Sequence, residues 1–254
     1  MFSIMKLYTV SDGPPSLAVR MALKVLNIPH EHIPVDYGKG EHLTEEYALG
    51  GRCEMSLLQS IRKHYRPEWM NPQKEIPVLD DDGFFLSESN AILQYLCEKY
   101  SQNTYLYPED PKQRAIVNHR LCFNLAFLYP QISAYVMAPI FFDYERTPLG
   151  LKKLQMALDC FETYMNRQGT KFVAGDHLTI ADFPLVSSVM CLEAINFDIE
   201  KYSLVKVWYH NFKKEYPELW AICATGMAEI REFEKNPPDL SGLNHPIHPI
   251  KKIK

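Results

Sequence analysis

The run Lys74-Glu75-Ile76-Pro77-Val78-Leu79-Asp80-Asp81-Asp82-Gly83-Phe84-Phe85-Leu86-Ser87-Glu88-Ser89 constrains the fold more than any other stretch of this chain. Two short apolar arms flank Asp-Gly, and a tight hairpin needs residues that accept positive φ. The hairpin leads directly into Ser-Glu-Ser ahead of an Ala91, Ile92, Tyr95, Leu96 stripe. That is a helix start, with free backbone donors and a favourable place for an anion. Pro77, just before the first arm, cannot donate a backbone hydrogen bond and is a candidate for a cis peptide. Together these features can present backbone and carboxylate groups to a small peptide-like ligand.

The segments around this unit extend it into a layer. Met5 to Val10 reads as a strand, and Ser11-Asp12-Gly13-Pro14-Pro15-Ser16 as a loop. Leu17, Ala18, Met21, Ala22, Val25 and Leu26 then recur at helical spacing. His30 to Val35 reads as a second strand, with Pro34 marking an edge. Residues 5 to 100 thus run β-α-β, an irregular stretch, then β-β-α, which fits a small α/β layer with a mixed sheet.

After Tyr100 the composition changes. Ser101 to Pro111 is linker-like. Beyond it apolar positions recur at three and four residues through Ala115–Met137, Leu151–Asn166, Ile180–Ile195 and Val205–Tyr216, so the second half is all-helical. The tail from Asn236 lacks periodicity and reads as a mobile or surface-draped end. The expected organisation is 1–100 for the α/β domain, with an insertion at 50–69, then a linker at 101–111, a helical domain at 112–235 and a tail at 236–254.

Composition narrows the function. The net charge of −4 gives no electrostatic case for nucleic-acid binding. Cys53, Cys97, Cys122, Cys160, Cys191 and Cys223 are scattered without a CxxC pair, so they read as buried free thiols, and no metal is expected. The start lacks the regions of a signal peptide, and no run of about 18 apolar residues suggests a spanning helix, so no membrane is expected and the cytoplasm is the default location.

The ordered pieces resemble the cytosolic glutathione transferases, most closely the insect delta and epsilon classes or an unclassified insect class. Leu7-Tyr8-Thr9-Val10 through Pro14-Pro15, Asn71-Pro72-Gln73, Ile76-Pro77-Val78-Leu79-Asp80, and Glu88-Ser89 with Ala91-Ile92 and Tyr95-Leu96 all match in order. In the second half Gly175-Asp176-His177-Leu178-Thr179-Ile180-Ala181-Asp182 resembles the family's buried capping motif, in which Thr179 would cap the helix and Asp182 would return a bond to the cap's backbone. The resemblance implies a thioredoxin-like N-terminal domain, an all-helical C-terminal domain and a homodimer, with glutathione as co-substrate. Glu88 would pair with the γ-glutamyl amine, while the Ser89 hydroxyl and helix-terminal N–H groups would hold the carboxylate. The Ile76 backbone, held by Pro77, would pair with the cysteinyl segment like an added strand. Gln73 and Lys74 stand where the family contacts the glycyl end, and Asn90 stands where delta enzymes often carry arginine. In the helical half Cys122, Leu125 and Tyr129 would face the second substrate, a hydrophobic electrophile.

Two departures stand out. The family's catalytic serine, whose hydroxyl favours the thiolate of glutathione, is replaced by Gly13. Ser11, Ser16 and Tyr8 are the nearby hydroxyls. Ser11 is the first choice for the catalytic group, Ser16 is the second and also a plain helix cap, and Tyr8 reads as packed between sheet and helices. The amino end of the first helix could also stabilise thiolate with no hydroxyl at all. The second departure is Gly50 to Trp69, inserted where family spacing would join Leu49 almost directly to Met70. Met55, Leu58, Ile61 and Tyr65 form a helical stripe there, and Arg52, Arg62, Lys63, His64 and Arg66 a basic face. It reads either as a short helix over the glutathione mouth or as a loosely packed excursion.

The reaction implied is attack of glutathione thiolate on a hydrophobic electrophile, in xenobiotic or insecticide detoxification. A non-catalytic, glutathione-dependent carrier of hydrophobic ligands, or an interaction module, is the alternative. Peroxidase or isomerase activity would share the same site. An omega-type oxidoreductase is disfavoured, since the first loop has no cysteine.

Overall fold

A computed structural model describes residues 4–48, 70–101, 105–240, 243 and 248. The helical stripe and basic face expected in the insertion, with Cys53 and His245, lie outside these residues.

The first half forms β1 (Met5–Thr9), α1 (Pro14–Val25), β2 (His30–Pro34), the short α2 (Glu45–Ala48), β3 (Val78–Asp81), β4 (Phe84–Leu86) and α3 (Ser89–Tyr100). The sheet order is β2-β1-β3-β4, with β1 parallel to β2 and antiparallel to β3, and β3 antiparallel to β4. β2 is the edge that Pro34 implied. Asp82 and Gly83 both have positive φ, 53° and 93°, as the Asp-Gly hairpin requires, and Gly83 N–H donates to Asp80 Oδ1 at 2.8 Å. Leu7 and Leu79 pair across β1 and β3 and are sealed by Leu17 and Met21 of α1 and Ile92 and Leu96 of α3. The opposite face packs Tyr8 and Val78 against Val35, Tyr47 and Met70. Met70 N–H donates to the Ala48 carbonyl at 3.1 Å, so the chain returns from the insertion beside the point where it left.

The second half is helical: α4 (Pro111–Phe142), α5 (Pro148–Gln168), α6 (Asp182–Ala194), α7 (Ser203–Glu215) and α8 (Pro217–Lys235). α6 is apolar on all sides and nearly every residue is buried, which makes it the central helix that the others surround. α8 continues almost directly from α7, separated by Tyr216 alone. The carboxylate of Glu162 on α5 accepts from Leu204 N–H and Val205 N–H and from the Ser203 hydroxyl, so a side chain from another helix satisfies the orphan donors of α7. Arg120 is buried on α4, where Nε donates to the Val173 carbonyl at 2.8 Å and the guanidinium lies over the Tyr164 ring.

α4 corrects one expectation. It is long and apolar enough, by length and composition, to cross a membrane. Leu121, Leu128, Ile132, Val136 and Ile140 instead line the protein core along one side of it. The helix widens into π turns at Asn124–Leu128 and Ser133–Met137, each ending just before a residue that precedes proline. Tyr129 N–H, before Pro130, bonds back to the Asn124 carbonyl, and Ala138 N–H, before Pro139, to the Ser133 carbonyl. A proline ring collides with the carbonyl four residues back, and a wider turn makes room for it.

Three further expectations change. Thr179 does not cap α6. Its N–H and hydroxyl donate to Asp182 Oδ2 at 2.8 and 3.0 Å, and Val173 N–H and the Trp208 indole N–H reach Oδ1 at 3.2 and 2.9 Å. A fully buried carboxylate with acceptor sites to fill takes the hydroxyl as a donor rather than leaving it to cap. Cys97, Cys191 and Cys223 are buried free thiols, but Cys160 is half-buried against the edge of the core, and Cys122 is exposed. The tail is not merely draped: Leu240 and Leu243 are buried with Phe142 against Tyr37 and Leu43.

Candidate active site

The cleft lies where the Asn71–Pro77 segment and the start of α3 meet α1, α4 and α6. Asn71 is 3% exposed and organises the turn. Its Oδ1 accepts from Gln73 N–H at 3.0 Å, its carbonyl accepts from Lys74 N–H at 2.9 Å, and its Nδ2 donates to the Glu75 carbonyl at 2.8 Å. The Ile76–Pro77 peptide is cis, and both residues line the cleft.

Glu88 caps the amino end of α3 at φ 66°, ψ 103°. A non-glycine residue there is strained by roughly 1–3 kcal/mol, and such strain gathers at ligand sites. Gln73 Nε2 donates to Glu88 Oε1 at 2.8 Å across the cleft mouth. Glu88, Ser89 and Asn90 all line the cleft at the amino end of α3, where backbone N–H groups favour an anion. Burial, and then the charge of Glu88, raise the Glu75 carboxyl above its ordinary range.

Asn124 and Leu125 come from the first π turn of α4 and Tyr129 from just after it, Pro184 and Ser188 from α6, and Pro14 and Pro15 from the amino end of α1. The Ser188 hydroxyl lies 3.0 Å from Asn124 Oδ1 and 2.7 Å from the Pro184 carbonyl, two acceptors that share its single proton. Asn90 Nδ2 donates to the Leu121 carbonyl at 3.0 Å, tying α3 to α4. Burial drives the Tyr129 phenol well above its ordinary pKa, so it stays a neutral donor.

Of the expected glutathione set, Gln73, Ile76, Pro77, Glu88, Ser89 and Asn90 line the cleft, and Lys74 does not. Leu125 and Tyr129 line it and Cys122 does not. Cys122 precedes the π turn, Leu125 lies within it and Tyr129 follows it, so regular helical spacing no longer relates them. The hydroxyls are placed elsewhere. Ser16 is fully buried, and its oxygen accepts from Val10 N–H at 3.4 Å. Tyr8 is buried edge-on to Tyr47. Ser11 donates to Glu229 Oε2 of α8 at 2.6 Å, and a hydroxyl has one proton to give. Gly13 is the N-cap of α1 at ordinary φ, −72°.

Asn71, Glu75, Asn124 and Ser188 are the polar cleft residues that sequence reasoning missed, beside Pro14, Pro15 and Pro184. Asn71 was detectable, since asparagine before Pro-Gln-Lys favours a side-chain-closed turn. Asn124 and Ser188 meet across 64 residues, and no local signal marks such a pair. Among the described residues no group of three or more His, Cys, Asp or Glu side chains could hold a metal ion.

A mixed four-stranded sheet with this cleft above a helical domain is the arrangement of a glutathione-binding transferase. The family model "Glutathione S-transferase, N-terminal domain" matches residues 7–104, and "Glutathione S-transferase, C-terminal domain" matches residues 142–219. The chain belongs to the glutathione S-transferase family, and is an enzyme of glutathione conjugation and detoxification. It is similar to a diazinon-metabolizing glutathione S-transferase of the silkworm Bombyx mori, with 55% identity over 90% of this chain and 100% of that one, TM-score 0.78. A delta-class glutathione transferase of Nilaparvata lugens is 31% identical over 92% of this chain and 100% of its own, TM-score 0.79. An epsilon-class enzyme of the housefly Musca domestica is 30% identical over 90% and 98%, TM-score 0.73.

Proposed function

We propose that this enzyme joins glutathione thiolate to hydrophobic electrophiles, and that the N-terminal half, residues 1–100, holds glutathione while residues 112–235 shape the electrophile site, with 101–111 as linker and 236–254 as tail. The observation that carries this reading is the Ile76–Pro77 segment sharing one cleft with the strained Glu88 at the α3 amino end, under an apolar wall from α4. The peptide edge at Ile76 takes the cysteinyl segment, Glu88 the γ-glutamyl amine, and Ser89 with the first N–H groups of α3 the γ-glutamyl carboxylate. Gln73 takes the glycyl end from within the cleft, and Lys74, outside the lining, adds its charge from beside it. Asn90 holds α3 on α4, and so keeps the γ-glutamyl pocket shut on one side. Leu125, Tyr129, Pro15 and Pro184 form the surface on which an apolar electrophile rests, with Cys122 outside it.

Activation of the thiol falls to the amino end of α1 at Gly13–Pro15, which opens on the cleft. Pro14 and Pro15 carry no N–H, so it is the field of the α1 dipole, not hydrogen bonds from those two residues, that favours the thiolate there. Ser11 serves that loop through its bond to Glu229, and Ser16 serves it as a buried acceptor. Proximity and thiolate stabilisation then carry the attack.

The silkworm relative is described as diazinon-metabolizing, which makes insecticide clearance the first role to test for this enzyme. Membership of the family supports a homodimer in the cytoplasm as the state to test. Purified enzyme with glutathione and a chromogenic aryl halide should show saturable turnover. Retention on a glutathione column with no turnover across a broad panel of electrophiles would instead favour the carrier.

A further inference from the structure

We propose that Glu229 is a positioning residue for glutathione activation: through Ser11 it clamps the Val10–Gly13 loop and so holds the amino end of α1 on the cleft. The bond from Ser11 Oγ to Glu229 Oε2, 2.6 Å long, joins the first loop of the sheet domain to the last helix of the helical domain, 218 residues away. The bond is charge-assisted but solvent-exposed, so it acts by fixing where the loop sits and not by adding much stability.

A second, independent contact presses the same loop onto the same helix. Gly226 lies one turn before Glu229 on α8. A Cβ there would meet the Ser11 carbonyl oxygen at 3.0 Å, Asp12 Cα at 3.1 Å and Leu17 Cδ1 at 2.9 Å. Two of these are backbone-level contacts that cannot swing aside, so α8 and the loop touch main chain to main chain. One residue beyond Asp12 stands Gly13, the N-cap of α1, and Pro14 and Pro15 after it line the cleft. The lever from Glu229 to the cleft wall is therefore only a few residues long and is pinned at two points.

The clamp also sits among charges that reach the loop from several elements. Asp12 feels Glu229 from α8, and burial with that charge raises its carboxyl to about 6. Arg20 of α1 faces Glu229 and Cys223, while Cys191 of α6 and Tyr129 of α4 face Asp12. A loop that carries a buried carboxyl beside a second carboxylate has reason to move unless something ties it. The Ser11 bond is that tie.

The inference rests on the α1 amino end being what lowers the thiol pKa. The test follows thiolate absorbance of enzyme-bound glutathione across pH in the full-length parent, Glu229→Ala, Glu229→Gln and Ser11→Ala. Binding to a glutathione column and circular dichroism are checked first. The parent should show a lowered thiol pKa, and a parent without one overturns the α1 reading before any variant matters. Glu229→Ala and Ser11→Ala should raise the bound thiol pKa by about one unit and cut kcat/KM at neutral pH about tenfold. Glu229→Gln keeps a weaker, neutral acceptor for Ser11 and should lose less than Glu229→Ala. Should Glu229→Ala fail to fold, Ser11→Ala carries the test. A parent-like titration in Ser11→Ala, or equal losses in Glu229→Gln and Glu229→Ala, would overturn the clamp.

Discussion

The indole N–H of Trp208 donates to the carboxylate of Asp182 at 2.9 Å, joining α7 to the start of α6 in the middle of the helical domain. Val173 and Thr179 fill the rest of the carboxylate, so four donors converge on one side chain that is wholly inaccessible to water. Asp182→Asn keeps the shape but turns an amide NH2 toward N–H groups that can only donate, with the Thr179 hydroxyl alone able to accept from it. It should destabilise the protein by on the order of 3 kcal/mol, since each stranded buried donor costs roughly 1–3 kcal/mol. Urea unfolding of the variant checks this. A midpoint equal to the parent's would mean the network carries no stability.

Asp12 gives a pH dependence of stability with an unusual sign. Its folded carboxyl titrates near 6 against an ordinary 3.8, raised first by burial and then by Glu229. Between those values the unfolded chain has already released this proton while the native protein still holds it. Stability from this group is therefore present at low pH and lost as pH rises from about 4 to about 6. Asp12→Asn removes the loss, so the variant should gain on the parent at pH 7 relative to pH 4. Denaturant midpoints at the two pH values are the measurement, and an unchanged difference between variant and parent contradicts it.

Gly13→Ser would place a hydroxyl at the position where the family's serine stands. A Cβ there lies 2.7 Å from Val10 Cγ2, too close unless Val10 rotates. The single substitution should lower the thiol pKa of bound glutathione at a stability cost of about 1 kcal/mol. Gly13→Ser with Val10→Ala should keep the gain and relieve the crowding. Thiolate titration and thermal melting of both variants decide the matter, and a thiol pKa that stays put in both would show the position faces away from the sulfur.

Removing residues 50–69 should leave the fold intact. Ala48 and Met70 already share a backbone hydrogen bond of 3.1 Å, so a short join closes the gap without moving either side. The shortened enzyme should melt within a few degrees of the parent and bind glutathione more tightly. Melting curves and the glutathione KM report on this. Loss of soluble protein on deletion would show that the segment supports the core.

Local chemistry was readable from the sequence and distant partnership was not. Asp82-Gly83 announced its hairpin because positive φ is a property of those residues themselves. Pro77 and Glu88-Ser89 announced the ligand-facing edge for the same reason. The three hydroxyls near the first strand could not be ranked that way. What each one does depends on a neighbour far along the chain or on depth below the surface: Glu229 for Ser11, burial beside Val10 for Ser16, Tyr47 for Tyr8. Asn90 was assigned to the ligand alone because nothing nearby in sequence betrays the Leu121 carbonyl that it meets. Cys122 was grouped with Leu125 and Tyr129 by counting threes and fours, a count that holds only for a regular α-helix.

That count has a further meaning along α4. Asn124, Leu128, Ile132, Val136 and Ile140 are all buried and fall four residues apart. On a uniform α-helix a step of four overshoots a full turn by about 40°, which over four steps would carry the stripe close to halfway around the axis. The widened turns absorb the overshoot, and the buried line stays straight for the length of the helix. Loss of one residue from either widened turn would swing everything beyond it by roughly 100°. Phe142 would then leave Leu240 and Leu243, and the tail would lose its seat. Substitution in these turns is cheap by comparison with deletion, so the helix is specified there by its number of residues more than by their identity.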